Sequence, residues 1–309
     1  MASLMLVANP AASQFTGGDH RTILSILSRR HQVEAVWPSS ASDARTIAAD
    51  AVTAGFDGVV AMGGDGIVHQ VAQSLVGTET FLAVIPAGTT NVFARQLNIP
   101  AKPVKAGRLL AGEPKLVRVP VATVEATRSD LSHSLRHAVF ALGVGVDADV
   151  VAAAETEPFR KLRFGAVHYL RTSLGLLWTD IRRRRPTVTV VDGNQTATVV
   201  GVMAQFHSAF TYFGARPIRF SPEPPDPMTL LLMERMNVRH LPALLYRVAR
   251  GDDLTAVTGI DVWEHVKTFD VTAPAGASFE VDGELLGELV TATVTFRPDA
   301  LWVAGPPDD

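Results

Sequence analysis

The sequence contains no cysteine among its 309 residues, which excludes a disulfide framework and thiolate metal sites. It also lacks an apolar run long enough to span a bilayer, and residues 1–10 lack the basic flank and length of a signal peptide. Neither sign of charge dominates, since 28 Lys and Arg accompany 31 Asp and Glu, and this balance argues against a nucleic-acid binder. These absences favour a cytoplasmic protein whose contact with the inner face of the membrane is peripheral.

A glycine-rich turn follows a short β-branched strand within residues 58–71. An apolar-periodic helix comes directly after the turn. Glycines let the backbone approach a ligand closely, and the N–H groups at the start of a helix attract phosphate. A carboxylate in such a turn would repel bare phosphate, but it suits a phosphate that arrives with Mg²⁺. The pattern predicts a nucleotide–metal site, and the alternative is a turn that only lets the helix pack closely. The turn consists of Gly63, Gly64, Asp65 and Gly66.

A second polar turn ends the next predicted strand, residues 81–85. Gly88 allows the turn, while Thr89 and Asn91 supply polar side chains and can cap the following helix. A first strand, residues 4–8, also ends in a turn, at Asn9-Pro10. Because the carboxyl ends of parallel strands share one sheet edge, we expect these turns to meet where α/β folds bind nucleotides.

The GGDG turn with its helix, followed by PAGTTNVFAR at residues 86–95, resembles the diacylglycerol kinase and sphingosine kinase superfamily. The similarity is greatest to its soluble bacterial lipid kinases. It implies ATP as phosphoryl donor, Mg²⁺ held at Asp65, and a lipid hydroxyl as acceptor, most of all that of diacylglycerol or a related lipid. It also implies a role in phospholipid biosynthesis and places Asn9 beside the nucleotide. For Asn9, ordinary turn chemistry is the alternative.

The chain changes character after residue 112. Strands alternate with helices before it, which predicts a doubly wound, nucleotide-binding α/β domain over residues 1–114. Residues 115–297 are rich in Val and Thr and predict a mainly antiparallel β domain for the lipid substrate. The resemblance implies that residues 298–309 return to the first domain. The expected strands of the second domain are 116–124, 138–146, 187–191, 196–204, 228–233, 268–273 and 290–296, with helices at 166–181 and 241–250.

The second domain contains Asp282-Gly283-Glu284 after a predicted strand. Asp-Gly is a strong hairpin signal, so a plain turn is one interpretation. The resemblance implies a catalytic one, in which Asp282 is the general base that takes the lipid hydroxyl proton and Glu284 supports it.

Three further features have both a functional and a structural interpretation. The resemblance places Asp147 by the lipid headgroup and Arg163 near the ATP phosphates, although a strand end and a solvated helix face would also explain them. The four arginines at 182–185 suit either a solvated helix end or attraction to anionic lipid headgroups.

The sequence departs from the family pattern at Ile67, Gln70 and Val92, where a hydroxyl and two carboxylates are missing. Two alternatives therefore stay open. One is a kinase for a soluble acceptor, as in NAD kinase, and the other is a non-catalytic protein that binds lipid or nucleotide. Nothing in the sequence indicates an oligomeric state or which lipid is phosphorylated.

Overall fold

Strands and helices alternate through the first third of the chain in the computed structural model, which describes residues 1–112, 114–145, 148, 186–193, 195–235 and 240–307. The chain divides into two units, Met1–Val121 with Pro298–Asp309, and Ala122–Arg297. The elements of the first unit are β1 Ser3–Ala8, α1 Gly17–Ser28, β2 Gln32–Val36, α2 Ala41–Thr53, β3 Gly58–Gly63, α3 Asp65–Leu75, β4 Phe81–Pro86, α4 Val92–Gln96 and α5 Pro103–Ala111.

Four parallel strands of the first unit lie side by side in the order β2-β1-β3-β4. Every residue of β3 and β4 is buried, as expected for strands covered on both faces. The C-terminal residues join this unit, since Val303 pairs with Leu82 of β4 in parallel. Helix starts follow local chemistry, because the hydroxyls of Thr16 and Ser40 accept backbone N–H groups at the starts of α1 and α2.

The second unit is an antiparallel β structure whose neighbouring strands are, in order, β14 Ile260–Val266, β13 Met228–Met233, β10 Gly201–Gln205, β7 Leu142–Gly145, β15 Thr268–Val281 and β16 Glu284–Gly305. Its core is made of aliphatic and aromatic side chains from these strands, including Leu230, Trp263, Phe269 and Phe279. The predicted fold class, a doubly wound α/β unit followed by a mainly antiparallel β unit, is confirmed. The remaining elements are β5 Lys115–Arg128, β6 His133–Ala138, β8 Val188–Val191, β9 Thr196–Val199, β11 Thr211–Phe213, β12 Arg216–Ile218 and α6 Leu241–Arg250.

Two predicted strands are in fact divided. The expected strand 196–204 breaks at Val200, because β9 pairs with β8 while β10 pairs with β13 and β7. The expected strand 138–146 is interrupted after Ala138, because the next three residues turn their amides toward one carboxylate. In the part of the chain that the structure describes, no helix has the length and apolarity needed to cross a membrane.

Candidate active site

Three loops lie together at the carboxyl edge of the parallel sheet, following β1, β3 and β4. The Asn9 N–H donates to the Met62 carbonyl at 2.9 Å, which ties the first loop to β3. The Ala87 N–H donates to the Gly63 carbonyl at 2.7 Å, and the Gln14 N–H donates to the Ala87 carbonyl at 2.8 Å. The predicted turns at Asn9, 63–66 and 86–91 therefore form one hydrogen-bonded surface, at the edge where α/β folds bind ligands.

The two glycine loops touch at Gly64 and Gly88. A Cβ atom placed on Gly88 would lie 2.5 Å from the Gly64 Cα and 2.8 Å from Asn91 Oδ1. Gly63 is equally constrained, because a Cβ there would lie 2.7 Å from Ile67 Cγ2. Gly66 differs, since nothing lies within 4 Å of a Cβ built on it and the residue is exposed. Packing thus accounts for Gly63 and Gly88 and leaves the identity of Gly66 unexplained.

We expect Gly88→Ala to destabilise the first unit by about 1–3 kcal/mol, because the added methyl group forces the two loops apart. Thermal unfolding of the purified chain measures this effect. Gly66→Ala is the matched control, since its methyl group enters open space. Equal unfolding midpoints for Gly88→Ala and the wild type would contradict the close contact between the loops.

Asp65 links the two loops electrostatically. Its Oδ2 accepts the Val92 N–H at 3.0 Å and its Oδ1 accepts the Phe93 N–H at 3.2 Å. These amides begin α4, so a carboxylate on one loop caps the helix that starts the other. Asp65 is itself the first residue of α3, and the N-cap residue before it, Gly64, provides no side-chain cap. The acidic residue of the GGDG turn therefore fixes the relative position of both loops.

The asparagine and threonine side chains build the loops. Asn91 has a left-handed backbone with φ of 50°, and its amide group both accepts the Gly88 N–H at 3.0 Å and donates to the Gly88 carbonyl at 2.8 Å. Asn9 Oδ1 accepts the Ala11 N–H at 2.9 Å, and the Thr89 hydroxyl lies 3.0 Å from the Ser13 hydroxyl. These contacts shape the edge of the sheet, and their role toward a nucleotide stays a prediction.

The three departures from the family pattern have structural roles here. Gln70 is buried on α3 and accepts hydrogen bonds from Arg45 Nε and Nη2 at 3.1 and 2.8 Å. Ile67 is buried against Gly63, and the buried Val92 donates its N–H to Asp65. Each replacement thus leaves the link between the two loops in place.

The second unit presents Asp282 at the tip of a two-residue hairpin. Val281 pairs with Glu284, and the residues between them have positive φ, 54° at Asp282 and 79° at Gly283. Positive φ at both positions is the geometry of a type I′ turn, so the hairpin interpretation describes the backbone correctly. Asp282 is nevertheless 5% exposed, unlike a typical turn residue.

The Asp282 carboxylate is held by successive backbone amides. Its Oδ1 accepts the N–H groups of Phe140 and Ala141 at 2.9 and 3.0 Å, and the Val139 N–H reaches Oδ2 at 2.9 Å. In return, the Asp282 N–H donates to the Ala141 carbonyl at 3.0 Å. Such a concave set of amides favours a fixed negative charge. The carboxylate therefore locks the hairpin onto the bend between β6 and β7.

A third carboxylate, Glu280, was not predicted to belong to this region. It is 2% exposed, and its Oε2 accepts the Gly283 N–H at 2.7 Å. Glu284, on the other side of the turn, is half-buried. Asp147, Arg163 and the arginines at 182–185 lie outside the described residues.

Residues 3–123 match the family described as Diacylglycerol kinase catalytic domain. Residues 3–123 therefore belong to this family, and the remaining residues lie outside the match. Over 144 residues it is 33% identical to the Pseudomonas putida protein named "Probable lipid kinase YegS-like", covering 46% of this chain and 44% of that protein. Over 87 residues it is 41% identical to a Mycobacterium tuberculosis diacylglycerol kinase, covering 28% of each. The matches thus span less than half the length of these curated relatives.

Two solved structures have a similar fold over nearly the whole length of this chain. A diacylglycerol kinase from Bacillus anthracis covers 99% of this chain and 97% of its own, with a TM-score of 0.69 at 17% identity. Yeast NADH kinase complexed with NADH covers 99% of this chain and 84% of its own, with a TM-score of 0.52 at 10% identity. At these identities the likeness shows the fold alone. The superfamily prediction from the two glycine motifs is confirmed.

Proposed function

We propose that this superfamily member is an ATP-dependent lipid kinase, which transfers the γ-phosphate of ATP to a lipid hydroxyl. The observation that carries the proposal is the pair of glycine loops at one sheet edge, joined by the Asp65 carboxylate. Phosphoryl transfer needs mainly positioning and charge neutralisation. The surface of glycines and helix starts would position the phosphates. Asp65 with Mg²⁺ would neutralise their charge.

The residues present fit a Mg²⁺ ion that arrives with the nucleotide. The Asp65 carboxylate supplies oxygen atoms, the ligand type that Mg²⁺ prefers in proteins. Among the described residues, no group of three or more His, Asp or Glu side chains is placed to hold a metal ion. Magnesium commonly uses one or two carboxylates together with substrate phosphates and water. Bound at Asp65, it would neutralise charge on the phosphate being transferred.

The phosphates are proposed to lie against the first turn of α3, where Asn9, the 63–66 turn and the 88–91 turn meet. This position explains the glycine at 66, because a side chain there would occupy the space that a phosphate needs. Arg163 and Asp147 stay proposals for phosphate and headgroup contacts.

Gly66→Ala is expected to separate folding from binding. The unfolding midpoint should stay level or rise, since Ala is favoured over Gly in a helix by about 1 kcal/mol. The affinity for Mg²⁺-ADP should fall about tenfold, since the methyl group would displace a phosphate. Isothermal titration calorimetry measures the affinity, and wild-type affinity in the variant would argue against phosphate at this turn.

We propose that a carboxylate of the 280–284 segment accepts the proton of the lipid hydroxyl. The contacts of Asp282 favour a different division of roles from the one that the resemblance implies. Three backbone amides already hold its carboxylate, so Asp282 is well placed to fix the turn. Glu284 follows that turn directly and is more exposed. We therefore assign proton acceptance to Glu284 and positioning to Asp282.

The acceptor is proposed to be diacylglycerol or a related lipid, met through peripheral contact with a membrane. Radiolabelled ATP and Mg²⁺ with separate mixed micelles of diacylglycerol, sphingosine, ceramide and phosphatidylglycerol test this directly, and NAD serves as the soluble acceptor. Label transfer to one lipid supports the proposal. Transfer to NAD alone would replace it with a soluble-acceptor kinase. Nucleotide binding without any transfer would favour a non-catalytic relative.

A further inference from the structure

Three aromatic rings meet beside the glycine loops of the first unit. The centroids of Trp37 and His20 lie 4.4 Å apart with an interplanar angle of 39°. Phe15 meets Trp37 edge to face, at 5.6 Å and 81°, and lies 6.1 Å from His20. Offset and edge-to-face pairs of this kind hold aromatic side chains in fixed orientations. Trp37 is therefore a supported ring.

This cluster lies at the same sheet edge as the glycine loops. Trp37 directly follows the last residue of β2, and Phe15 is two residues after Ser13, whose hydroxyl contacts Thr89 of the second glycine loop. The strand order β2-β1-β3 places the end of β2 two strand spacings from the GGDG turn, roughly 10 Å. The ribose and phosphates of a nucleotide can bridge such a distance.

The exposure of the rings is uneven. His20 is 7% exposed, whereas Trp37 is 46% exposed despite its two ring contacts. Burial, with Arg21 nearby, lowers the pKa of His20 below its ordinary value, so the ring beneath Trp37 is neutral near pH 7. Within the described residues, the buried His20 Nε2 atom has no hydrogen-bond partner. An apolar, rigid aromatic surface thus stays open to solvent at the level of the loops.

We propose that Trp37, supported by His20 and Phe15, is the stacking platform for the base of the nucleotide. This inference rests on the proposed function, because it needs the phosphates at the GGDG turn. A flat, uncharged aromatic surface recognises the face of a base and does not recognise phosphate. The ligand chemistry is therefore a nucleotide, bound by stacking at one end and by backbone amides at the other.

Competition binding of ADP, adenosine and inorganic tripolyphosphate tests the inference on the full chain. Trp37→Ala should weaken ADP and adenosine about 5- to 20-fold, while tripolyphosphate should bind as it does to the wild type. Trp37→Phe should recover part of the loss, because it restores an aromatic face. Leu116→Ala is the control, since Leu116 of the same unit is 45% exposed. Unfolding midpoints check that each variant is folded.

Tryptophan fluorescence gives a second readout. ADP should quench emission in the wild type, and the quenching should shrink in Trp37→Phe. Wild-type ADP affinity in Trp37→Ala, or an equal loss for tripolyphosphate, would overturn the platform. Loss of binding to anionic vesicles with unchanged ADP affinity would also overturn it and assign Trp37 to the membrane. A protein that binds ADP through Trp37 but phosphorylates no lipid would contradict only the proposed function.

Discussion

Asp65→Ala is expected to lower kcat/KM for Mg²⁺-ATP by at least about 100-fold, because it removes both the proposed metal ligand and the link between the glycine loops. Without the carboxylate, the Val92 and Phe93 N–H groups at the start of α4 lose their acceptor. Loss of such a cap costs about 0.5–2 kcal/mol of stability. The variant should therefore stay folded while binding Mg²⁺-ATP poorly.

Asp65→Asn separates the two roles. An asparagine oxygen can still accept one of the two amides, so the loops stay partly tied, but its neutral amide is a poor ligand for Mg²⁺. If Asp65 holds the metal, the Mg²⁺ concentration for half-maximal activity rises in both variants. If it only caps α4, the Mg²⁺ dependence of Asp65→Asn matches the wild type. Asp50→Ala, which removes an exposed carboxylate from α2, is the charge control. Unchanged Mg²⁺-ATP affinity in Asp65→Ala would show that neither the carboxylate nor the link between the loops contributes to nucleotide binding.

The fold class and the glycine loops could be predicted because their signals are local. β-branched runs, glycine turns and helical periodicity occur within a few residues of one another, and parallel strands bring their carboxyl ends to one edge. The link from Asp65 to Val92 and Phe93 could not be predicted from the sequence. It spans 27 and 28 residues and joins a side chain to backbone amides, for which no residue pattern exists.

The carboxylates of the second unit show a second limit of prediction from sequence. Residues of a strand alternate between its faces, so Glu280, between Phe279 and Val281, would be expected to face solvent. All three residues are in fact buried, at 1%, 2% and 0% exposure, because both faces of this part of β15 are covered. Coverage of a strand depends on distant segments. The amides that hold Asp282 likewise lie 141 to 143 residues away along the chain.

Glu284→Gln is expected to lower kcat by about 10²- to 10⁴-fold, the usual cost of losing a general base. Its KM for ATP and its unfolding midpoint should change little, because glutamine keeps the size of the side chain. The variant should also lose the acidic limb of the pH–rate profile, since the group that must be ionised is gone. Glu288→Gln, an exposed carboxylate of the same strand, is the matched control.

Asp282→Asn is expected to behave differently, although Asn-Gly forms a type I′ turn as readily as Asp-Gly. Its NH₂ group would replace one of the two oxygens that accept the Val139, Phe140 and Ala141 N–H groups. A buried donor would then face a donor, at a cost of about 1–3 kcal/mol in stability. The unfolding midpoint should fall, and the acidic limb of the pH–rate profile should remain. If instead Glu284→Gln kept full kcat while a folded Asp282→Asn protein lost it together with the acidic limb, Asp282 would be the base that the family resemblance implied.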